Sequence, residues 1–301
     1  MNNFVLGPLL GTLKFLLLLP ILVLWFALTW ILVVILKCPF AVLRVIDTVF
    51  GRISLILMGF WWTPMKRMII RPAIAALARP ESFSLHTEKS SQPSDSVQPD
   101  DWIIANLSSY CDLIWYWCKY SGVVMITADF EDGNLVPCPN RFYAIYHYFI
   151  KNSSSNVTSI KISSSTNISR GFPLIIFPEA VSSNGRGVLK FIANLSDAKR
   201  NQRLHLTCTK FNSDLFNPTF PGPPGLISFF SHLWQLCSQL QNNLTARTIL
   251  PAALFSSNFD LPPATESRYN RTLQQIIAAL GHLRPLNLDA KDKISFIKSY
   301  E

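Results

Sequence analysis

The polarity pattern divides the chain into three parts. Residues 15–36 (FLLLLPILVLWFALTWILVVIL) are 22 consecutive positions without a charge. At about 1.5 Å of rise per residue, such a run matches a hydrocarbon core of roughly 30 Å and predicts a membrane helix. A cleaved signal would have a shorter apolar region ending at small residues, whereas this run meets Lys37, Cys38 and Pro39. A second apolar piece, residues 53–62 (ISLILMGFWW), is too short to cross a bilayer. It either dips into the membrane with the first helix as a hairpin or lies along the interface, and a bend at Pro20 would favour the hairpin.

Residues 80–101 are polar, rich in Ser and Pro, and read as a linker. Beyond them, short apolar runs at 102–105, 123–127, 157–162, 174–177, 204–209 and 248–254 read as strands. Between these lie helix-like stretches at 113–120, 141–151, 187–195, 226–242 and 268–280. Alternation of this kind predicts an α/β fold with a mostly parallel sheet flanked by helices, preceded by an N-terminal membrane helix or hairpin. The expected organisation is a membrane anchor with a basic amphipathic segment over 1–79, a polar linker over 80–101 and an α/β domain over 102–301.

Composition sharpens the membrane assignment. Hydrophobic residues make up 49% of the chain and charged ones 15%, more apolar than a usual soluble domain. The net charge of +9 is concentrated beside the anchor, where Lys37, Arg44, Arg52, Lys66, Arg67, Arg71 and Arg79 face a single acid, Asp47. Basic residues at the end of a spanning helix mark the cytoplasmic side and attract anionic lipid headgroups. That position disfavours nucleic acid as a partner. The six cysteines form no C-x-x-C pair and no Cys/His cluster with zinc spacing, so they read as reduced thiols with no metal site. Seven N-x-S/T sequons begin at Asn106, Asn152, Asn156, Asn167, Asn194, Asn243 and Asn270. Heavy glycosylation of the native protein would overturn the cytosolic placement.

Two stretches carry candidate chemistry. In IIANLSSYCD (103–112) an apolar strand ends at Asn106, and Asp112 opens an aromatic helix. In FPLIIFPEAVSSNGRGVLKF (172–191) a strand is broken by Pro178, delivers Glu179 to a loop of small polar residues, and leads into a helix-like run from Gly187. Loops opening helices offer free N–H groups for a phosphate, with Arg186 and Lys190 as added charge. On pattern alone, an ordinary strand-to-helix turn with a solvated Glu explains the second stretch equally well.

Together the two stretches resemble the glycerolipid acyltransferases, which carry N-H-x-x-x-x-D and, further on, F-P-E-G-T. Asn106 and Asp112 keep the first spacing with Leu107 at the His position, and Phe177–Pro178–Glu179 matches the second with Ala180 and Val181 replacing Gly and Thr. The continuation SSNGRGVLKF resembles the lysophospholipid acyltransferase branch, and within it the fungal lysophosphatidic acid type that also lacks the motif His. The resemblance covers roughly residues 100–300. It implies acyl transfer from acyl-CoA, as a co-substrate, to a lysophospholipid drawn from membrane lipids, with no tightly bound cofactor and the domain facing the cytosol at the endoplasmic reticulum or a lipid droplet. By the same resemblance Asn106 and Asp112 belong to the catalytic motif, and Pro178, Glu179, Ser182, Ser183, Asn184, Gly185 and Arg186 hold the acceptor.

In the family the motif His takes the proton of the acceptor hydroxyl, and the Asp orients that His. Leu107 has no lone pair, so this division of labour lacks its base. A base from elsewhere is one resolution, with His147 the nearest downstream and His86, His205, His232 and His282 the others. Direct or water-mediated action of an Asp112 with a raised pKa is a second. The third is a domain that binds lipid or a partner without turnover. Cys111 has no neighbouring charge in sequence to generate a thiolate and reads as a buried thiol. A generic membrane-tethered α/β domain of unrelated function would have no cleft joining residues 106–112 to 179–186.

Overall fold

Two helices come first and pack side by side. Helix α1 (Asn3–Trp30) continues as a π-helical turn over Ile31–Ile35, and α2 (Phe40–Leu57) follows Pro39. The structure, a computed structural model, describes residues 3–71, 84–87, 97–127, 133–151, 171–193, 195, 203–212, 216–219, 225–251 and 268–299. Pro8 and Pro20 lie inside α1 without interrupting it. Residues 7–35 are long and apolar enough to cross a bilayer.

One side of α1 is nevertheless covered by protein. Leu18 and Trp25 are fully buried in the main core. Helix α5 (Leu226–Cys237) and the turn after it hold the N-terminal half: Trp234 Nε1 donates to Thr12 Oγ1 at 3.2 Å, and Lys14 Nζ donates to the Gln239 carbonyl at 2.9 Å. Gly11 lies so close that an added Cβ would fall 2.0 Å from the Ser238 hydroxyl. The helix therefore lies along the α/β domain.

The sheet has eight strands: β1 (Met65–Arg71), β2 (Ser84–Thr87), β3 (Trp102–Ala105), β4 (Val123–Thr127), β5 (Leu135–Pro137), β6 (Leu174–Ile176), β8 (Leu204–Asn212) and β9 (Asn243–Ile249), in the order β2-β1-β9-β8-β3-β6-β4-β5. Parallel pairs join β1 to β9, β8 to β3, β3 to β6 and β6 to β4. A separate two-stranded ladder pairs β7 (Gly187–Val188) with β10 (Arg284–Pro285). Helices α1, α2, α5, α3 (Tyr110–Tyr120) and α4 (Arg141–Ile145, continuing as a π turn over Tyr146–Lys151) build the core on one face. Helix α6 (Arg268–Gly281) covers the other with Leu273, Ile276, Ile277 and Leu280, and α7 (Ala290–Lys298) closes the described chain. This is the mostly parallel, helix-flanked α/β architecture that the alternation predicts.

Several elements differ from expectation. Met65–Arg71, grouped by charge with the anchor, is a strand paired with β9, and Ser84–Thr87 of the expected linker pairs with it. The strand expected at 248–254 occupies Asn243–Ile249, and the helix expected to reach 242 ends at Cys237. Residues 157–162 lie outside the described residues. The helix expected over 187–195 does not form, because its backbone donors are taken elsewhere: Leu189 by Glu179, Lys190 by Leu288, and Ile192 and Ala193 by the Pro178 carbonyl.

Asp47 explains how the N-terminal pair is pinned. Its side chain is fully buried and accepts from Trp25 Nε1 at 2.9 Å, while both terminal nitrogens of Arg141 pair with its two oxygens. The same guanidinium sits 5.0 Å and 5.3 Å from the ring centroids of Trp25 and Trp117. A single carboxylate thus ties α1, α2, α3 and α4 together. Asp47→Ala would leave the arginine enclosed without its partner, which typically costs about 3–5 kcal/mol. Denaturant unfolding in detergent should show a loss of that order, and Asp47→Ala/Arg141→Met should recover a large part of it.

Candidate active site

Both motif loops leave the carboxyl ends of adjacent parallel strands, β3 and β6, the edge at which open α/β sheets bind their ligands. In the first loop Asn106 is structural. Its Oδ1 accepts from the Thr209 N–H at 2.8 Å, and its Nδ2 donates to the Thr209 carbonyl at 2.9 Å, fastening the end of β3 to β8. Ser109 caps α3, and Asp112 completes a capping box. Asp112 Oδ2 accepts from the N–H groups of Ser108 (2.7 Å) and Ser109 (2.9 Å) and from the Ser108 hydroxyl (3.0 Å). Its Oδ1 is buried without a hydrogen-bond partner. Burial pushes Asp112 up to about 6, against the pull of these donors and the Thr209 hydroxyl.

The residue that stands where the family has His joins the two loops through its backbone. Leu107 is fully buried, and its carbonyl accepts from the Ser183 N–H at 2.7 Å. Its N–H lies near enough to the Glu179 carboxylate to favour that group's charged form. Residues 106–112 and 179–186 are therefore hydrogen-bonded to each other, although no residue of 106–112 lines the cleft described below. Of the histidines whose side chains the structure describes, none is hydrogen-bonded to Asp112. His147 stacks on Tyr143, His205 bonds Asp101 at 2.9 Å, and His232 bonds the Tyr110 hydroxyl at 2.8 Å. Asp112 itself bonds Ser108 and Ser109, so the expectation of His147 as a displaced base partnered by Asp112 fails. Cys111 is buried with its thiol pushed well up by that burial, which keeps it unreactive.

The second loop centres on Glu179. Its Oε2 accepts from the Leu189 N–H at 2.7 Å, while Oε1 is buried without a partner. Burial raises Glu179 to about 8, opposed by the Leu189 and Leu107 N–H groups and by the Lys293 ammonium, and reinforced by the Asp112 charge. Lys293, on α7, donates to the Ser182 carbonyl (2.6 Å) and hydroxyl (2.9 Å). Burial lowers it to about 8, against the attraction of Glu179. Ala180 adopts φ +59°, the left-handed region that favours glycine, at the position where the family motif has Gly. The Pro178 carbonyl accepts from Ile192 at 2.9 Å and from Ala193 at 3.2 Å, which closes the loop.

The rest of the loop turns back on itself and forms the wall of a cleft. Ser183 Oγ accepts from the Gly185 N–H at 3.3 Å, and Asn184 Oδ1 accepts from the Arg186 N–H at 3.0 Å. Gly185 has φ +70°, and an added Cβ would lie 2.6 Å from the Thr219 methyl and 3.7 Å from Ser108 Cβ. The cleft holds about 480 Å³ and is bounded by Asn184, Gly185 and Arg186 together with Lys210, Phe211, Phe216 and His282. No carboxylate lines it among the described residues. Burial, together with the Arg247 and Lys210 charges, holds His282 below its usual range, so the local field is positive. Lys190, expected to add charge here, lines a separate groove with Asn270 and Arg271. Lys210 and Lys293 were not legible as site residues, whereas His282, weighed above as a base from elsewhere, lines the cleft. Lys210 ends an ordinary apolar strand, and Lys293 lies in an unremarkable amphipathic turn.

The raised carboxyl groups make stability pH-dependent. Between about pH 4.5 and 8 the folded protein keeps a proton on Glu179 that the unfolded chain releases, so this group lowers stability as pH rises, by at most about 1.4 kcal/mol per pH unit. Asp112 acts in the same sense only up to about 6. Lys293 acts oppositely, above about 8. Between pH 6 and 8, chemical denaturation should therefore show wild type losing stability relative to Glu179→Gln. Parallel profiles would contradict the assignment.

Comparison with known proteins adds one sequence relative. A protein of Schizosaccharomyces pombe named "Putative lysophosphatidic acid:oleoyl-CoA acyltransferase" is 26% identical over 222 residues, which cover 71% of this chain and 67% of that protein. No family model and no solved structure matches. The relative supports kinship with acyltransferases, and an N-terminal apolar helix accords with membrane association.

Proposed function

We propose that the protein transfers a fatty acyl group from acyl-CoA to the free hydroxyl of a lysophospholipid, with lysophosphatidic acid as the acceptor. The carrying observation is the joined pair of loops at the carboxyl ends of β3 and β6, set against a basic cleft. In the reaction the acceptor oxygen bonds the thioester carbonyl carbon, the C–S bond breaks, CoA leaves as the thiol, and the hydroxyl proton ends on sulfur or in solvent. Arg186 and Lys210 hold the acceptor phosphate, and the Asn184–Gly185 turn shapes the wall beside it. Asp112 and Glu179 act from beneath, by fixing the loops. Without a base at position 107 the site relies on positioning and on a good leaving group. General-base assistance is typically worth about 10²–10⁴-fold, so turnover is slow.

The membrane supplies the acceptor. The sides of α1, α2 and α5 turned away from the domain carry exposed apolar residues, among them Leu9, Leu13, Val23, Val45, Val49 and Ile227, with Trp61 and Trp62 exposed nearby. A helix docked along its domain with an apolar outer face suits insertion into one leaflet, and exposed tryptophans suit its interface. Acyl-CoA is cytosolic, so the cleft faces the cytosol at the endoplasmic reticulum or a droplet surface.

One observation favours a second reading, a lipid-binding protein without turnover: Asp112 is fully buried and engaged as a helix cap. Purified protein in anionic vesicles, given labelled acyl-CoA and lysophosphatidic acid, separates the two. Transfer is expected, and Arg186→Ala and Lys210→Ala should each raise the KM for lysophosphatidic acid about 10–100-fold, as loss of a charged hydrogen bond implies. A rise confined to the KM for acyl-CoA would assign the cleft to the CoA phosphates. Retained lysolipid binding without transfer would select the second reading.

A further inference from the structure

We propose that Lys293 is a positioning residue of this site, and that the C-terminal helix α7 is thereby a working part of it; the proposal rests on the acyltransferase reading above. Two hydrogen bonds and one longer-range attraction set this lysine apart from a surface charge on an amphipathic helix. Its ammonium donates to both the carbonyl and the hydroxyl of Ser182, and it faces the buried carboxyl of Glu179, one oxygen of which has no hydrogen-bond partner. The acid of the helix itself is already engaged: Asp292 accepts from the Asp289 N–H at 2.8 Å and caps its own turn. Glu179 and Ser182 are thus what Lys293 serves.

Docking of α7 does not itself require an ammonium. Ala290 is fully buried against Val181 and Leu189, with Ile192 and Leu286 packed around them, so an apolar seam already holds the helix to the loop. Placing a lysine one turn further on carries a desolvation penalty that an apolar side chain would avoid. The lysine contributes geometry. Ser182 precedes Ser183, whose N–H holds the Leu107 carbonyl, and the next three residues form the cleft wall that ends in Arg186. Fixing the Ser182 peptide from below therefore fixes the register of Ser183 on Leu107 and the reach of Arg186 into the cleft. Lys293 touches neither the cleft nor its occupant, so it acts through the loop.

The test compares Lys293→Met, Lys293→Arg and, as a control on the same helix, the exposed Lys291→Met, using the full chain in anionic vesicles. The readouts are acyl transfer to lysophosphatidic acid and amide hydrogen exchange over 182–186. Lys293→Met is expected to lower kcat/KM at least tenfold, mainly through KM for the lysolipid, and to speed exchange at Ser183–Arg186 at least tenfold with α3 unchanged. Lys293→Arg should recover part of both, and Lys291→Met should match wild type. Unchanged exchange in Lys293→Met, or faster exchange with wild-type kcat/KM, would overturn the proposal. Should wild type show no transfer, the acyltransferase reading fails separately. Vesicle-borne lysophosphatidic acid binding then decides: a tenfold weakening in Lys293→Met upholds the positioning role, and equal binding rejects it.

Discussion

The backbone of Leu107 is the point on which the site depends. Its carbonyl holds the Ser183 N–H, its N–H lies near the Glu179 carboxylate, and its side chain is sealed in the main core. Hydrogen bonds of this kind need no particular side chain, so the position tolerates leucine without losing the architecture around it. Leu107 offers no base, yet the loop that carries it is held in place. This separates two roles that a motif histidine would combine, joining the loops and moving a proton. The chain retains the first.

Burial governs everything attached to that joint. Asp112 and Glu179 are both fully enclosed, each with one oxygen well bonded and the other without a partner. Enclosure disfavours their charged forms, and the surrounding N–H donors and Lys293 oppose it only in part. The two carboxyls therefore serve as internal braces. The exposed end of the second loop and the end of β8 are where Arg186 and Lys210 share a cleft. Asp47 does comparable bracing for the N-terminal helices by holding Arg141 and Trp25 together.

Much of this was readable in the chain, and what was not has physical reasons. Strands β3 and β6 are short apolar runs ended by Asn106 and Pro178, and such runs buried on both faces of a parallel sheet are legible. Residues 187–195 misled because helix-like periodicity reports apolar spacing, not the fate of the N–H groups. Here those donors go to Glu179, Leu288 and Pro178. Residues 65–71 mix basic and apolar positions, which a lipid-facing segment and an outer strand share, and only pairing with β9 decides between them. Asn106 looked catalytic by spacing, whereas its bonds to Thr209 make it a fastener. Lys293 had no local signal because its partner Ser182 lies 111 residues away.

The site requires its two loops to behave as one unit through Leu107. Amide hydrogen exchange in Glu179→Ala, compared with wild type, tests this most directly. Removing the Glu179 carboxylate should speed exchange at Leu189 and Ser183 and also at Ser108 and Ser109 in the other loop, while the β8 and β9 amides stay as slow as before. Faster exchange at Leu189 alone, with Ser108, Ser109 and Ser183 unchanged, would show two independent loops and contradict the account.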